Sequence, residues 1–179
     1  MSRKTKSRKT KPFHLRLIQT PPKKEKKVIA IKRILLVLLL LAIYKLSNTS
    51  GLQVKDPTTW LNETQYVKDV SSDFLVNIKS EFYAPYDNVT DLNFILHKLS
   101  HIIFYSLLAY LFFLNVKRHV GWTAFLLFLA ALGDEIHQYY VVGRSGRALD
   151  VLLDVVAGLV IISIVTKLGQ TKIKADKPK

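Results

Sequence analysis

Residues 149–168 read LDVLLDVVAGLVIISIVTKL, and this stretch places the chain in a membrane. A helix crosses the hydrocarbon core of a bilayer with about 20 mostly apolar residues. Asp150 and Asp154 stand near its start. On the insertion scale a central aspartate costs about 2.5–3.5 kcal/mol and an apolar residue returns about 0.3–0.6 kcal/mol. The cost of inserting the two acids nearly cancels the gain from the apolar residues of this helix. We therefore expect the acids to serve a polar site at one end of the span.

Three earlier segments are also apolar enough to be predicted as spans. They cover residues 28–46, 99–116 and 120–138, and the first contains an uninterrupted apolar run over 34–44. This first segment lacks a small-x-small cleavage pattern, so it is predicted to be an uncleaved anchor. The sequence therefore predicts an all-α integral membrane protein with four transmembrane helices.

Positive charge is concentrated in the N-terminal tail. The chain has 179 residues and a formal charge of +14, and 13 of its 27 Lys and Arg precede Ile34, against one acid, Glu25. We expect a disordered basic cytoplasmic tail over 1–27, a membrane domain over 28–168 and a basic cytoplasmic tail over 169–179. A basic tail beside an apolar run favours anionic lipid headgroups as its contact rather than nucleic acid. The chain has no cysteine, which excludes disulfide and thiolate chemistry.

The charges of the connecting segments predict the orientation. Lys117 and Arg118 lie between the second and third spans, and both tails are basic. Segments rich in Lys and Arg stay in the cytoplasm, so both termini are predicted to be cytoplasmic. The loop over 47–98 has four Lys and seven acids and is predicted to be extracytoplasmic. The outer ends of the last three spans would then share one polar site.

The outer loop is predicted to contain an amphipathic helix of roughly seven turns, because apolar residues recur every three or four positions. Asp56-Pro57 is a typical helix start. The apolar residues of this pattern are Val67, Val70, Phe74, Ile78 and Phe82.

Polar side chains recur at helical spacing where the last three spans begin or end. Lys98, His101 and Tyr105 are three and then four residues apart, so they share one face of a helix. The residues that we expect to line a ligand-binding site are Lys98, His101, Asp134, Glu135, His137, Gln138, Arg144, Arg147, Asp150 and Asp154.

The third span ends in Asp134-Glu135-Ile136-His137-Gln138. By spacing, Asp134 shares a face with His137 and Gln138, whereas Glu135 is expected to point elsewhere, toward Tyr139.

The fourth span carries a stripe of Arg147, Asp150, Asp154 and Gly158. Gly158 would allow a neighbouring helix to approach closely below the acids.

Three interpretations of these residues compete. They could form an ion-paired clasp between helix ends. They could bind a phosphate or carboxylate through Lys98, Arg144 and Arg147. They could be catalytic, with His137, Asp134 and Asp150 as candidates, through His137 as general base or a metal held by His101, His137 and Asp150. A His-Glu-x-x-His motif is absent, so neither a metal site nor a cofactor is assigned.

The combined pattern resembles the VanZ-like family of bacterial membrane proteins. The resemblance rests on Lys98-Leu-Ser-His101 with Tyr105, Asp134-Glu135-Ile136-His137-Gln138, Gly143-Arg144-Ser145-Gly146, and Asp150 and Asp154 with Gly158. It covers about residues 34–168. This chain has Val142 where many relatives carry proline before the Gly-Arg pair.

The resemblance implies a multi-pass protein of the bacterial plasma membrane associated with low-level resistance to teicoplanin. It also implies membrane lipids as partners, with an anionic envelope lipid or a lipoglycopeptide as the ligand of the outward-facing site. Two alternatives stay open: a membrane-embedded enzyme acting on a lipid-linked phosphate, and a non-catalytic membrane scaffold.

Overall fold

A computed structural model describes residues 22–67 and 71–175. Four α-helices run through these ranges. They are α1 (Lys23–Ser47), α2 (Leu92–Asn115), α3 (Val120–Tyr139) and α4 (Ala148–Ala175). Helix α1 begins inside the tail that was expected to be disordered, and the rest of that tail, residues 1–21, lies outside the described residues.

Three of the helices are long and apolar enough to cross a membrane. They are α2, α3 and the part of α4 over Ala148–Thr171, and they indicate a multi-pass membrane protein. A fourth span through α1 stays a prediction. Its charged residues Lys32, Arg33 and Lys45 flank an apolar run of only 11 residues, 34–44. That run is about 16 Å long as a helix, about half the thickness of the hydrocarbon core.

Helix α4 packs mainly against α2 and next against α3, while α1 packs against α2. The predicted close approach at Gly158 is confirmed. A Cβ atom there would lie 2.4 Å from Cδ2 of Leu127 and 2.8 Å from Cβ of Ala109. Leu127 and Ala109 have no exposed surface, so α4 packs closely against α2 and α3 at this level.

The antiparallel order of the helices separates two ends of the bundle. At the basic end, the Asn115 side-chain amide donates to the backbone carbonyl of Lys32, which joins the end of α2 to the first half of α1. Lys117 and Arg118 make the tight turn there with φ of 53° and 62°. At the polar end, α1 and α3 finish while α2 and α4 begin, so the predicted polar residues come together there.

The predicted seven-turn amphipathic helix is wrong. Among the described loop residues there are three short 3₁₀ helices, Pro57–Leu61, Ser72–Leu75 and Glu81–Tyr83. Asp56 does cap the first turn by accepting from the Thr58 amide at 3.0 Å.

The apolar pattern of this loop does not form one buried face. Phe74 and Phe82 are buried, yet Ile78 is 79% exposed. The ring of Phe74 stacks on that of Tyr139, with centroids 3.9 Å apart. Val70 lies outside the described residues. Aromatic packing on the end of α3 therefore outweighs the helical periodicity.

Backbone hydrogen bonds between loops also compete with a helix in this region. The Val67 amide donates to the Tyr140 carbonyl at 2.9 Å, and the Val142 amide donates to the Gln65 carbonyl at 2.8 Å. The Gly51 amide donates to the Val142 carbonyl at 3.0 Å. These bonds tie the outer loop to the α3–α4 connection and close the polar end of the bundle.

Candidate functional site

Three carboxylates without any exposed surface lie at the polar end of the bundle. Glu135 comes from α3, and Asp150 and Asp154 come from the first two turns of α4. A buried charge is strongly unfavourable unless it is paired or hydrogen-bonded. The neighbours of these three acids therefore determine what the site can do.

Asp150 is paired with Lys98. The Lys98 ammonium lies 2.6 and 2.7 Å from the two carboxylate oxygens. The Tyr86 hydroxyl donates to the same carboxylate at 2.7 Å, and burial together with that negative charge raises the pKa of Tyr86 above its usual value. The ammonium also lies 4.6 Å from the centre of the Tyr86 ring. Both charges of the pair are engaged, and the pair joins α2 to α4.

A chain of two histidines and a carboxylate lies beside this pair. His101 Nδ1 is 3.1 Å from an oxygen of Asp154, and His101 Nε2 is 3.0 Å from Nε2 of His97. Glu135 approaches the same His101 Nδ1, with Oε1 at 3.8 Å. His101 therefore contacts two buried carboxylates through one nitrogen and a second histidine through the other.

Glu135 is fixed by the loop between α3 and α4. Its second oxygen, Oε2, accepts from the backbone N–H of Arg147 at 2.9 Å. The loop can come this close because Gly146 has no side chain, since a Cβ atom there would lie 1.9 Å from the Glu135 carbonyl oxygen. The expectation that Glu135 points away from the cluster is therefore wrong.

Gln138 connects the end of α3 to Arg144. Its side-chain nitrogen donates to Asp134 Oδ2 at 2.9 Å, and its oxygen accepts from Nη2 of Arg144 at 2.7 Å. Nε of Arg144 is buried and has no hydrogen-bond partner among the described residues. Burial lowers the pKa of Arg144, while the nearby carboxylates of Asp134 and Glu135 act in the opposite direction.

Two residues that were predicted from the sequence to belong to the cluster, His137 and Arg147, lie outside it in the structure. His137 lies at the junction with α1, with Nε2 3.0 Å from Oδ1 of Asn48. The guanidinium of Arg147 faces the outer loop and lies 3.3 Å from the Asp87 carboxylate. A metal held by His101, His137 and Asp150, and an anion held by Lys98, Arg144 and Arg147, therefore do not match this geometry.

Helix geometry explains why Glu135, and not His137, faces the cluster. Successive residues are about 100° apart around a helix. Gln138 then lies between Asp134 and Glu135, and all three face the cluster. His137 lies about 100° from Gln138, on the side that meets α1. Pairwise spacing grouped Asp134 with His137. It could not show which face of α3 meets the cluster, because that is decided by the packing of three neighbouring helices.

His97 and Tyr86 were missed by the sequence analysis. His97 precedes the apolar run of span two, yet α2 begins as early as Leu92, where Asp91 caps it by accepting from the Phe94 amide at 3.0 Å. The i,i+4 spacing of His97 and His101 was a signal that could have found this histidine. Tyr86 is distant in sequence from Asp150 and carried no such signal.

A cavity of about 170 Å³ opens beside the cluster, between α1, α2, α3 and the outer loop. Its apolar wall consists of Ile43, Leu46, Leu52, Val54, Trp60 and Phe104. Its polar wall includes His97, His101, Asp134, Gln138 and Arg144. Among the described residues, His101, Glu135 and Asp154 also bring three potential metal-ligating atoms within 4.8 Å of one another.

The family model for VanZ/LLP1 matches residues 33–169, which include all of α2 and α3, most of α1 and α4, and the whole polar cluster. The chain belongs to the VanZ/LLP1 family. The resemblance that the sequence motifs suggested is therefore confirmed. No curated protein and no solved structure matches the chain.

Proposed function

We propose that this VanZ/LLP1 protein binds a lipid-tailed molecule at the outer face of a bacterial plasma membrane and thereby lowers susceptibility to lipophilic glycopeptides such as teicoplanin. The observation that carries the proposal is the two-sided cavity. One wall is apolar, and the other presents histidine, carboxylate, amide and guanidinium groups. A site of this kind suits an amphiphile, because apolar surface supplies affinity and a few placed polar groups supply orientation.

Arg144 is the residue proposed to orient the polar part of the ligand. It is in the cavity wall, and its buried Nε has no partner among the described residues. A buried donor without a partner costs about 1–3 kcal/mol, so a ligand oxygen that accepts from Nε after a shift of the Arg144 side chain would recover that cost. Guanidinium groups bind carboxylate and phosphate oxygens well. This supports an anionic headgroup or an acidic glycopeptide as the bound species.

The experiment compares two arginines of the same loop. A deletion host would carry the wild type, Arg144→Gln or Arg147→Gln, with membrane abundance matched by immunoblot. Only Arg144 reaches the cavity, whereas the guanidinium of Arg147 faces Asp87 outside it. We expect Arg144→Gln to lose protection against teicoplanin and Arg147→Gln to keep it. Equal protection by both variants at equal abundance would contradict the proposal and favour the scaffold alternative.

The outward orientation of the site can be tested separately, because the chain has no cysteine of its own. Single cysteines at Glu63, Lys117 and Lys24 would be labelled in intact cells with a membrane-impermeant maleimide. The four-span prediction expects labelling at position 63 alone, and labelling at 117 and 24 only after permeabilisation. Labelling at 24 in intact cells would show that α1 does not span.

A second candidate is a membrane-embedded enzyme acting on a lipid-linked phosphate. The observation that favours it is the His97–His101–Asp154 chain, whose first member is in the cavity wall. A carboxylate that orients one histidine, which in turn orients another, is a common arrangement for a general base or a nucleophile. His97 would be the reacting group and Arg144 the phosphate holder.

The enzyme candidate predicts turnover that binding alone does not. Purified protein would be incubated with vesicles containing a polyprenyl diphosphate, and inorganic phosphate would be measured. Release by the wild type and its loss in His97→Gln would support the enzyme. No release by the wild type, together with teicoplanin protection that survives His97→Gln, would exclude it.

A further inference from the structure

The polar end of the bundle carries more negative than positive charge. Four carboxylates meet there: three without exposed surface, and the partly buried Asp134. Two cationic side chains face them, Lys98 and Arg144. Arg147 adds nothing because its own charge is paired with Asp87 outside the cluster. With all four carboxylates ionised, the cluster has a formal charge of −2, which the interior of a membrane protein does not tolerate without compensation.

The geometry points to a divalent transition-metal ion bound by His101, Glu135 and Asp154, a site that does not depend on the proposed function. The ligand atoms of these three residues lie within 4.8 Å of one another. His101 Nδ1 is 3.1 Å from Asp154 and 3.8 Å from Glu135 Oε1. An ion with bonds of about 2.1 Å to nitrogen and oxygen places tetrahedral ligands about 3.4 Å apart. Two of the three separations are therefore already close to those of a metal site.

The hydrogen bond between His97 and His101 can leave Nδ1 of His101 without a proton, so that this nitrogen can bind a metal. His101 and His97 face each other through Nε2 at 3.0 Å, so one of the two nitrogens must carry the shared proton. When His101 donates, its Nδ1 lone pair points at two buried carboxylates. Three electron-rich atoms facing one another repel, and a cation between them converts the repulsion into coordination. In the other tautomer, His101 Nδ1–H donates to Asp154 and no metal is needed, so the metal measurement distinguishes the two states.

Outer contacts hold the candidate ligands as metal sites require. A ligating histidine usually donates its other N–H to an acceptor, and His97 supplies that acceptor. Glu135 is held by the Arg147 backbone N–H on the oxygen that does not face His101. These contacts would leave Nδ1 of His101 and Oε1 of Glu135 aimed at one point.

A buried hydroxyl without a partner, on the residue one turn after His101, is a second feature that a bound ion with its water would explain. Tyr105 is 2% exposed, and its hydroxyl has no hydrogen-bond partner among the described residues. Its ring stacks on that of His101 with centroids 5.9 Å apart, and both rings are in the wall of the same cavity. A water molecule completing the coordination of the ion is the kind of group that would satisfy this hydroxyl. One nitrogen and two carboxylate ligands suit Zn²⁺ or Mn²⁺.

The test uses purified full-length protein in detergent, stripped with a chelator and then supplied with Zn²⁺ or Mn²⁺ before desalting. Elemental analysis should find about one equivalent of metal on the wild type. The isosteric variants Glu135→Gln and Asp154→Asn and the variant His101→Gln should each retain at most about a tenth of it. The matched control is His137→Gln, whose imidazole faces Asn48 outside the cluster and which should bind as the wild type does.

The wild type also gives a result that does not depend on whether the variants fold. The metal should raise its unfolding temperature, because an ion that binds only the folded state stabilises it. Wild-type protein that neither retains either metal nor unfolds at a higher temperature in its presence would overturn the proposal. Metal retained equally by the wild type and the three ligand variants would overturn the assignment to these residues.

Discussion

The charged side chains at the two ends of the bundle differ in exposure and in pairing. At the basic end, Lys117 and Arg118 are exposed in a tight turn and make no ion pair among the described residues. At the polar end, Asp150 is buried and pairs with Lys98, whose side chain is 13% exposed. Charges in solvent contribute little to stability, whereas a buried pair becomes strongly destabilising when one member is removed. The comparison implies that the polar end is sensitive to single substitutions and the basic end is tolerant.

The largest expected effect is the loss of Asp150. Asp150→Ala should destabilise the protein by about 3–5 kcal/mol, because it leaves the largely buried Lys98 ammonium without its partner. The matched control is Lys117→Ala, a surface change expected to stay within about 0.5 kcal/mol. Thermal unfolding in detergent, followed by circular dichroism, measures both.

A double substitution sharpens the same comparison. Lys98→Met with Asp150→Leu removes both charges and should recover most of the lost stability, as apolar replacements of buried pairs often do. If Asp150→Ala were no more destabilising than Lys117→Ala, the ion pair would have no structural role at the polar end.

The next effect concerns packing between the two ends. Gly158→Ala should destabilise by about 1–3 kcal/mol, because the new methyl group would meet Leu127 and Ala109. Gly169→Ala in the same helix meets nothing within 4 Å and should stabilise by up to about 1 kcal/mol, since alanine favours a helix over glycine. Opposite signs in unfolding temperature are expected, and equal losses would contradict the close approach at Gly158.

An effect of similar size separates two tyrosines of the outer loop. Tyr86→Phe removes a hydrogen bond to the Asp150 carboxylate and should cost about 1.5–3 kcal/mol. Tyr83→Phe removes a bond to the neutral backbone carbonyl of Leu75 in a more exposed position and should cost about 1 kcal/mol or less. Similar losses in the two variants would mean that the outer loop does not close over the charged pair.

The smallest expected effect is a dependence on alkaline pH. The pKa of Tyr86 is raised in the folded state, by burial first and by Asp150 second. The unfolded chain then releases this proton near pH 10 while the folded protein keeps it. The associated stability is complete below pH 10 and declines as the pH rises above it. Unfolding temperatures from pH 8 to 11 should fall more steeply for the wild type than for Tyr86→Phe.

Most of the fold could be predicted from the sequence. For the site, the sequence predicted that polar residues gather at one end of the bundle, but not which side chains contact each other. Spans two to four, the close approach at Gly158 and the grouping of polar residues at one end follow from apolar length and helical spacing, which are local properties. The outer loop did not follow, because stacking of Phe74 on Tyr139 and backbone bonds to the α3–α4 connection depend on residues far apart in the chain.

Individual side chains at the site were harder to predict for the same reason. Spacing on α3 shows which residues are neighbours and does not show which of them face α2 and α4. Glu135 therefore took the place in the cluster that was predicted for His137, and the Arg147 side chain turned to Asp87 in the outer loop. The contact of Tyr86 with Asp150 could not be predicted from the sequence, because only the fold brings the two side chains together.

The most direct test of the central claim, that the cavity at the polar end binds a lipid-tailed ligand, uses the two tryptophans of the chain. Trp60 is in the cavity wall, and Trp122 is exposed near the start of α3 at the basic end. A benzophenone amino acid would replace one or the other in intact membranes, followed by irradiation with teicoplanin. We predict an adduct from position 60 that Arg144→Gln diminishes, and none from position 122. Equal adducts from both positions, or none from position 60, would contradict the claim.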